Sequence, residues 1–248
     1  MQAIVLAAGV GNRLGEPRPD GRRGPKALLE FGGESLLVRH VHALRQHGVT
    51  EITVVVGFEA DLVHEALAAL AVDPAVRTIT NPDFREGSVV SVWAARHVLR
   101  AGGPVILMDA DVIYDRRLMA RLTGSTLRNV LLLDREIEPG DEPVKLCIRD
   151  GRIVDFRKKP TEPHDWHGES VGFFRFEPAT AAELAERTEQ YVTGGRRHLE
   201  YEEPIRDMIM ASPAERFGFE DISGLPWTEI DFPEDVEKAR ALLPSLVP

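Results

Sequence analysis

Ala3-Ile-Val-Leu-Ala-Ala-Gly-Val-Gly-Asn-Arg-Leu-Gly15 is the stretch around which the rest of the chain is organised. Its apolar run at positions 4–7 predicts a strand buried on both faces. The glycines that follow let the backbone turn tightly, and amide groups exposed at such a turn bind anions. A loop rich in arginine then ends at Pro25-Lys26. The stretch therefore predicts a site for a nucleoside triphosphate, with positive charge beside it from Arg13, Arg18, Arg22, Arg23 and Lys26.

Length, charge and cysteine content restrict the class of protein. The 248 residues, 43% of them hydrophobic, suffice for one large domain or for a domain with a small lid. A net charge of -10 argues against a general binder of nucleic acid or of anionic membranes. The single cysteine, Cys147, excludes an intramolecular disulfide framework and favours a reducing cytoplasm. Because the first apolar run stops at Gly9, we expect a soluble protein without membrane insertion.

The first half of the chain alternates strands with helices, which is typical of a parallel α/β sheet. Strands are predicted at 52–56, 76–80 and 104–108, and helices at 35–46, 61–71, 86–95 and from Asp115. Residues 28–31 predict a further short strand. The histidines at positions 40, 42 and 47 are expected at the surface, because none lies four residues from another as a helical metal pair requires.

The second half changes character. Strands at 129–133, 144–148, 153–156 and 171–176 are separated by turns, and Asp150-Gly151 is typical of a hairpin. Helices are predicted at 180–190 and 203–211, with Pro233 at the start of a last helix. The fold class expected is α/β, with a Rossmann-like, mostly parallel sheet, helices on both faces and an antiparallel flank.

Acidic residues follow the strand at 104–108. Ligands of open parallel sheets bind beyond the carboxyl ends of the strands, and carboxylates there suit Mg²⁺. Asp111 is the favoured ligand, although either Asp109 or Asp111 could instead cap the next helix. Ser88 and Ser91, in the first turn of a helix, could bind a base or ribose, or Ser88 could be only an N-cap.

Gly9-Val-Gly-Asn-Arg13-Leu with Pro25-Lys26 resembles the signature of the nucleotidyltransferase superfamily that makes nucleotide sugars and CDP-alcohols. Other motifs resemble its CTP-dependent branch, which includes phosphocholine, 2-aminoethylphosphonate and inositol-phosphate cytidylyltransferases. These motifs are Ser91-Val-Trp-Ala-Ala, Leu107-Met-Asp-Ala-Asp111, Leu133-Asp-Arg135, Gly168-Glu-Ser-Val-Gly-Phe-Phe and Trp227-Thr-Glu-Ile-Asp-Phe-Pro. The resemblance covers nearly the whole chain.

The resemblance implies a Mg²⁺-dependent transfer of CMP from CTP to a phosphorylated alcohol or phosphonate, with phosphocholine or 2-aminoethylphosphonate favoured. The implied nucleotide-binding residues are Leu6, Ala7, Ala8, Gly9, Gly11, Asn12, Arg13, Lys26, Asn81, Ser88, Ser91 and Asp109. The implied metal ligands are Asp111, Glu229 and Asp231. Acceptor contacts are expected from Asp134, Lys158, Glu200, Tyr201 and Glu202, and catalytic charge from Arg13, Lys26 and Lys145.

The resemblance also predicts a division of the chain. We expect one domain over residues 1–248, with a nucleotide-binding half at 1–125, an acceptor-binding half at 126–232 and a C-terminal helix at 233–248. The loop at 16–24 is longer and richer in arginine than is usual in the family, and we interpret it as a lid over CTP. A homodimer is considered, because the antiparallel flank in such folds often forms a dimer surface.

The identity of the acceptor depends on Glu200-Tyr-Glu-Glu203, an acidic cluster with an aromatic ring that suits a cationic head group. Acidic residues at a helix start can instead be solvated and favour the helix dipole. Inositol-1-phosphate or sugar-1-phosphate transfer is therefore an alternative, as is a non-catalytic nucleotide-binding regulatory module. A dehydrogenase is disfavoured because Leu14 occupies the position of the third glycine in G-x-G-x-x-G.

Overall fold

A computed structural model of the chain describes residues 1–14, 24–70, 76–137 and 140–246. The strands are β1 (Gln2–Ala7), β2 (Glu30–Phe31), β3 (Glu34–Ser35), β4 (Glu51–Val56), β5 (Arg77–Thr80), β6 (Val105–Asp109), β7 (Val112–Tyr114), β8 (Val130–Asp134), β9 (Lys145–Arg149), β10 (Arg152–Arg157), β11 (Trp166–Phe176), β12 (Gly218–Asp221) and β13 (Trp227–Glu229). The helices are α1 (Leu36–Gln46), α2 (Ala60–Ala69), α3 (Val89–Ala94), α4 (Arg96–Leu99), α5 (Arg116–Gly124), α6 (Pro178–Thr193), α7 (Glu202–Ala211) and α8 (Pro233–Leu242). Among these described segments, no helix is both long and apolar enough to cross a membrane.

One large sheet dominates the structure, and its strands run in the order β10-β9-β11-β6-β1-β4-β5. β1 lies between β4 and β6 and is parallel to both, and β5 is parallel to β4. β11 is antiparallel to β6, β8 and β9, and β12 adds in parallel to β8. The α/β class with a mostly parallel sheet and an antiparallel flank, predicted from the sequence, is confirmed.

Both faces of the sheet are apolar, as the uninterrupted hydrophobic runs require. Ala3, Val5 and Ala7 of β1 pack into one core, whereas Ile4 packs into the core on the opposite face. Since successive side chains of a strand alternate between faces, a strand without polar residues is buried on both faces of the sheet. This burial fixes β1 in the centre of the sheet and sets the position of the glycine turn that follows it.

Helix starts follow the local signals in the sequence. The Ser35 hydroxyl accepts a hydrogen bond from the Val38 amide at the start of α1, and Asp115 accepts one from the Arg117 amide at the start of α5. The cap of α5 is thus Asp115 itself, so neither Asp109 nor Asp111 serves as the cap. Pro233 is the first residue of α8, as predicted.

Some local predictions differ from the structure, and the helix predicted at 86–95 begins only at Val89. Residues 28–31 were expected to be a strand, but a 3-10 turn at Lys26–Leu28 precedes the two-residue strand β2. The prediction of a surface position for His40 is wrong, because its side chain is fully buried. His40 falls on the buried stripe of α1 with Leu36, Leu37 and Leu44. The 3.6-residue period of these apolar residues in the sequence indicates that position 40 is buried. The spacing between histidines alone does not indicate it.

Candidate active site

The glycine turn leaves the central strand β1 at the carboxyl edge of the parallel strands. Gly11 has a φ of +62°, a left-handed conformation that favours glycine. A side-chain carbon built at Gly9 would meet no atom within 4 Å, so a ligand has room to approach the backbone there. The cavity beside this turn, the glycine-turn cavity, is lined by Leu6, Ala7, Gly9, Gly11, Arg13, Lys26, Ala27, Ala110, Asp111 and Asp231.

Lys26 supplies a positive charge to the glycine-turn cavity. Its Nζ donates hydrogen bonds to Asp111 Oδ2 at 2.9 Å and to Asp231 Oδ1 at 2.5 Å. Burial opposes the charge, but these two carboxylates hold the pKa of Lys26 above its ordinary value. Lys26 is therefore an ammonium at neutral pH, positioned between the glycine turn and the acids.

Asp111, Glu229 and Asp231 form an acidic triad whose carboxylate oxygens lie within 4.8 Å of one another. The pairing of β13 with β7 sets Glu229 opposite Val112, and the Ile230 amide donates to the Asp111 carbonyl. Residues more than a hundred positions apart in the sequence are thus held together. This is the set that the sequence predicted for the metal.

The donor set of the triad fits Mg²⁺. All the ligand atoms are carboxylate oxygens, which hard cations prefer, and Lys26 already shows that positive charge is stabilised there. Although Glu229 is exposed at the cleft, desolvation of its carboxylate, together with the charges of Asp111 and Asp231, raises its pKa well above the ordinary value. A divalent cation would relieve this repulsion.

A second cavity, the tyrosine cavity, adjoins the first and shares Arg13, Asp111 and Asp231 with it. The Tyr201 hydroxyl donates to Asp109 Oδ2 at 2.5 Å, and the Tyr201 side chain is buried. Burial and then the Asp111 charge raise the pKa of Asp109. Among the predicted residues, Ala8, Ser88, Ser91, Asp109, Lys158, Glu200, Tyr201, Glu202 and Glu229 line this cavity.

Glu202 is the unusual group of the tyrosine cavity. Burial raises its pKa to about 7, and the neighbouring Glu200 adds to the effect. Its Oε2 atom is shielded from solvent and has no hydrogen-bond partner among the described residues. A buried carboxylate oxygen without a donor is costly, so this oxygen needs a partner that the described residues do not supply.

Two residues of the site were not found from the sequence. Glu142 accepts from Arg13 at 3.3 Å and from Lys158 at 3.2 Å, and so links the two cavities. No local pattern distinguishes this acid from its neighbours. Gly172 has a φ of +74°, and a side-chain carbon there would lie 2.2 Å from the Asp109 carboxylate. The Val171-Gly-Phe173 stretch could have indicated this contact, because a glycine inside a strand often marks a place where another group packs closely against the backbone.

Several predicted residues line neither the glycine-turn cavity nor the tyrosine cavity. The Lys145 ammonium donates to the carbonyls of Gly140, Pro143 and Lys158. Asp134 accepts from the Trp227 indole at 2.7 Å and lines a third, neighbouring cavity. Asn81 is buried and donates to Ser91 Oγ at 3.0 Å, which positions the serine. The side chain of Asn12 and the proposed lid residues Arg18, Arg22 and Arg23 lie outside the described part of the chain.

Comparisons with known proteins identify the family of the chain. The model of the MobA-like NTP transferase domain matches residues 3–150. The bifunctional IPC transferase and DIPP synthase of Rubrobacter xylanophilus is 31% identical over 97% of this chain and 51% of that protein. The CMP-5'-(3-aminopropyl)phosphonate synthase of Streptomyces rubellomurinus is 28% identical over 96% of this chain and 38% of that protein. The chain thus spans about half the length, or less, of these curated relatives.

Solved structures show the same fold. The CTP:phosphocholine cytidylyltransferase of Streptococcus pneumoniae superposes with a TM-score of 0.77 at 20% identity, covering 98% of each chain. The inositol-1-phosphate CTP transferase of T. maritima gives a TM-score of 0.75 at 19% identity, covering 100% of this chain and 97% of the other. At these identities the likeness establishes the architecture alone.

Proposed function

Because this chain belongs to the MobA-like NTP transferase domain family, we propose that it transfers CMP from CTP to a small molecule with a phosphate or phosphonate at one end and an ammonium group at the other. The resemblance indicated by the sequence motifs is confirmed at the level of the family. The relative named as a CMP-5'-(3-aminopropyl)phosphonate synthase supports both the donor and an aminated acceptor.

The buried oxygen of Glu202 is the observation that carries this choice of acceptor. This oxygen has no donor among the described residues, and burial and the Glu200 charge raise the pKa of Glu202 even though Lys158 opposes the shift, so the site would favour a further positive charge. A primary ammonium group, as in 2-aminoethylphosphonate, would supply both the donor and the charge, whereas the trimethylammonium of phosphocholine has no N–H and would supply the charge alone. Tyr201, which lines the same cavity, adds an aromatic residue suited to either cation. A neutral polyol supplies hydroxyl donors but leaves the carboxylate charges uncompensated. Phosphocholine and 2-aminoethylphosphonate are therefore the acceptors we favour.

The proposed reaction is a displacement at phosphorus. An oxygen of the acceptor phosphate or phosphonate attacks the α-phosphorus of CTP in line, one P–O bond forms, and the bond to pyrophosphate breaks. Because the nucleophile is already an anion, no general base is needed. The difficulty is to bring two polyanions together, so positioning and charge neutralisation should dominate catalysis.

The chain's own residues have distinct parts in this scheme. The glycine-turn amides and the Lys26 ammonium would hold the triphosphate. Arg13 lines both cavities, and Lys158 lines the tyrosine cavity. Both of these cations contact Glu142, which phosphate oxygens would displace. Asp111, Glu229 and Asp231 would hold Mg²⁺, which when bound neutralises charge on the phosphates and orients them.

A pyrophosphate-release assay tests the proposal. The protein is supplied with CTP, Mg²⁺ and, in turn, phosphocholine, 2-aminoethylphosphonate or inositol 1-phosphate. We expect release with at least one aminated acceptor and little with inositol 1-phosphate. Release with inositol 1-phosphate alone would overturn the cationic acceptor. Binding of CTP without release in any reaction would favour the regulatory module. Replacing CTP by UTP in the same assay tests the choice of base.

The Glu202→Gln variant tests the acceptor site directly. Glutamine keeps the shape of the side chain but removes the charge that the ammonium would meet, so we expect the acceptor KM to rise about tenfold or more. The affinity for CTP should not change. Glu186→Gln, at an exposed position of α6, is the matched control for loss of one negative charge. An unchanged acceptor KM in Glu202→Gln would contradict this assignment.

A further inference from the structure

The connection between α6 and α7, residues 194–201, lies directly against the loop between β5 and α3, residues 81–88. The Gly87 amide donates to the Arg197 carbonyl at 2.9 Å, and the Val89 amide donates to the Leu199 carbonyl at 3.3 Å. A side-chain carbon at Gly87 would lie 2.1 Å from the Leu199 carbonyl oxygen, so only glycine fits. Two segments from opposite halves of the chain are therefore packed backbone against backbone.

Ser88 joins the two segments through its side chain. Its hydroxyl donates to Glu200 Oε2 at 2.5 Å, and its Oγ accepts from the Tyr201 amide at 2.8 Å. The Ser88 amide donates to the same glutamate oxygen at 3.2 Å. A serine hydroxyl has one proton to donate. Because Glu200 receives that proton, Ser88 has none left for a base or a ribose in this arrangement.

Arg197 makes the second set of links. Its Nε donates to Glu86 at 2.6 Å, and a terminal nitrogen donates to Asp83 at 2.7 Å. One guanidinium thus ties the α6–α7 connection to two carboxylates of the β5–α3 loop. The fork of donors in arginine holds such a pair of acids in a fixed geometry that lysine could not reproduce.

We infer that Ser88 and Arg197 are positioning residues for the acceptor, and that Ser88 donates no hydrogen bond to the nucleotide. They act by fixing Glu200 and Tyr201 on the wall of the tyrosine cavity, where Tyr201 in turn donates to Asp109. This inference rests on the proposed function, which places the acceptor in that cavity. It assigns Ser88 a role different from the nucleotide contact that the sequence resemblance implied.

The inference predicts a separation between the two substrates. Removing the Ser88 hydroxyl leaves the Tyr201 amide without its acceptor and Glu200 held only by the Ser88 amide. Hydrogen bonds to charged groups are strong enough that the acceptor KM should rise about tenfold. The dissociation constant of CTP, measured without acceptor, should change less than about twofold. Arg197→Gln should act in the same direction, because both acids lose their partner.

The experiment compares Ser88→Ala, Ser88→Thr and Arg197→Gln with the wild type. Threonine keeps the hydroxyl, so Ser88→Thr should recover most of the acceptor KM. Arg100→Gln is the matched control, since Arg100 pairs with Glu189 at 2.6 Å and lines neither the glycine-turn cavity nor the tyrosine cavity. CTP affinity is measured by calorimetry, the acceptor KM with phosphocholine and 2-aminoethylphosphonate, and amide hydrogen exchange over residues 199–203 without ligands.

The outcomes separate this inference from the proposed function. Faster exchange at residues 199–203 and a raised acceptor KM, with CTP affinity intact, would support the positioning role. A loss of CTP affinity in Ser88→Ala as large as the rise in acceptor KM would overturn it. So would unchanged exchange in Ser88→Ala and Arg197→Gln. If the wild type used neither aminated acceptor, the proposed function would fail, and the exchange and CTP data would still decide the role of Ser88.

Discussion

His40 should make the stability of this protein fall when the pH is lowered. The ring is fully buried, with Nε2 at 3.1 Å from the Ala110 carbonyl oxygen and Nδ1 at 3.4 Å from the Tyr114 hydroxyl. A carbonyl only accepts, so the neutral ring carries its proton on Nε2 and can accept from Tyr114 on Nδ1. Ala110 lies between Asp109 and Asp111, so this hydrogen bond supports the turn that carries two acids of the site.

The size of the effect follows from the pKa of His40. Burial lowers it from 6.5 to about 4, whereas the unfolded chain keeps the ordinary value. Between these two values the unfolded state binds a proton that the folded state does not, so stability decreases as the pH falls through that window. From about pH 7.5 to about pH 5, His40 should cost about 2 kcal/mol of the free energy of unfolding.

Urea unfolding of the wild type and of His40→Gln, at about pH 7.5 and about pH 5, measures this contribution. His40→Gln should be less stable at the higher pH because a buried ring is lost, but its stability should fall by about 2 kcal/mol less on acidification. His97→Gln, at an exposed position of α4, is the control and should follow the wild type. Equal losses in the wild type and His40→Gln would refute a buried neutral ring.

Three further substitutions test other parts of the structure. Asp111→Asn should lower turnover by about a hundredfold or more while the melting temperature is kept, and near-normal pyrophosphate release would contradict a metal role. Arg206→Met should lower the free energy of unfolding in urea by about 3 kcal/mol or more, because it removes the cation that pairs with the fully buried Asp155 carboxylate. A decrease below about 1 kcal/mol would show that Asp155 does not depend on this cation. Gly172→Ala should displace the Asp109 carboxylate and lower both turnover and melting temperature, whereas wild-type values for both would show that the site tolerates the clash.

The elements of the fold were largely predictable because their signals are local. The apolar runs of β1 and β4, the Ser35 cap of α1 and the proline at the start of α8 each depend on a few neighbouring residues. Parallel strands separated by helices then leave few arrangements open. The position of the glycine turn and of Asp111 at one edge of the sheet follows from that order.

The roles of individual side chains were less predictable. Lys145 was expected to supply catalytic charge, yet its ammonium donates to the carbonyls of Gly140, Pro143 and Lys158. Ser88 was expected near the nucleotide, yet its hydroxyl donates to Glu200. In both cases the partner is decided by a loop or helix whose placement no local pattern encodes. The sequence shows whether a side chain is charged or polar, but it does not show which group forms a hydrogen bond or ion pair with that side chain.

The sequence by itself therefore determined the order of strands and helices, the glycine turn, and the kinds of residue that could hold a triphosphate and a metal. The resemblance to a family named Asp111, Glu229 and Asp231 together, but only the tertiary structure shows how they are brought within 4.8 Å of one another. Only the tertiary structure decided that Glu142 joins Arg13 to Lys158, and that one oxygen of Glu202 is buried without a donor among the described residues. The physical reason is distance along the chain. Secondary structure depends on neighbouring residues, whereas charge pairing and burial depend on residues that become neighbours only when the chain has folded.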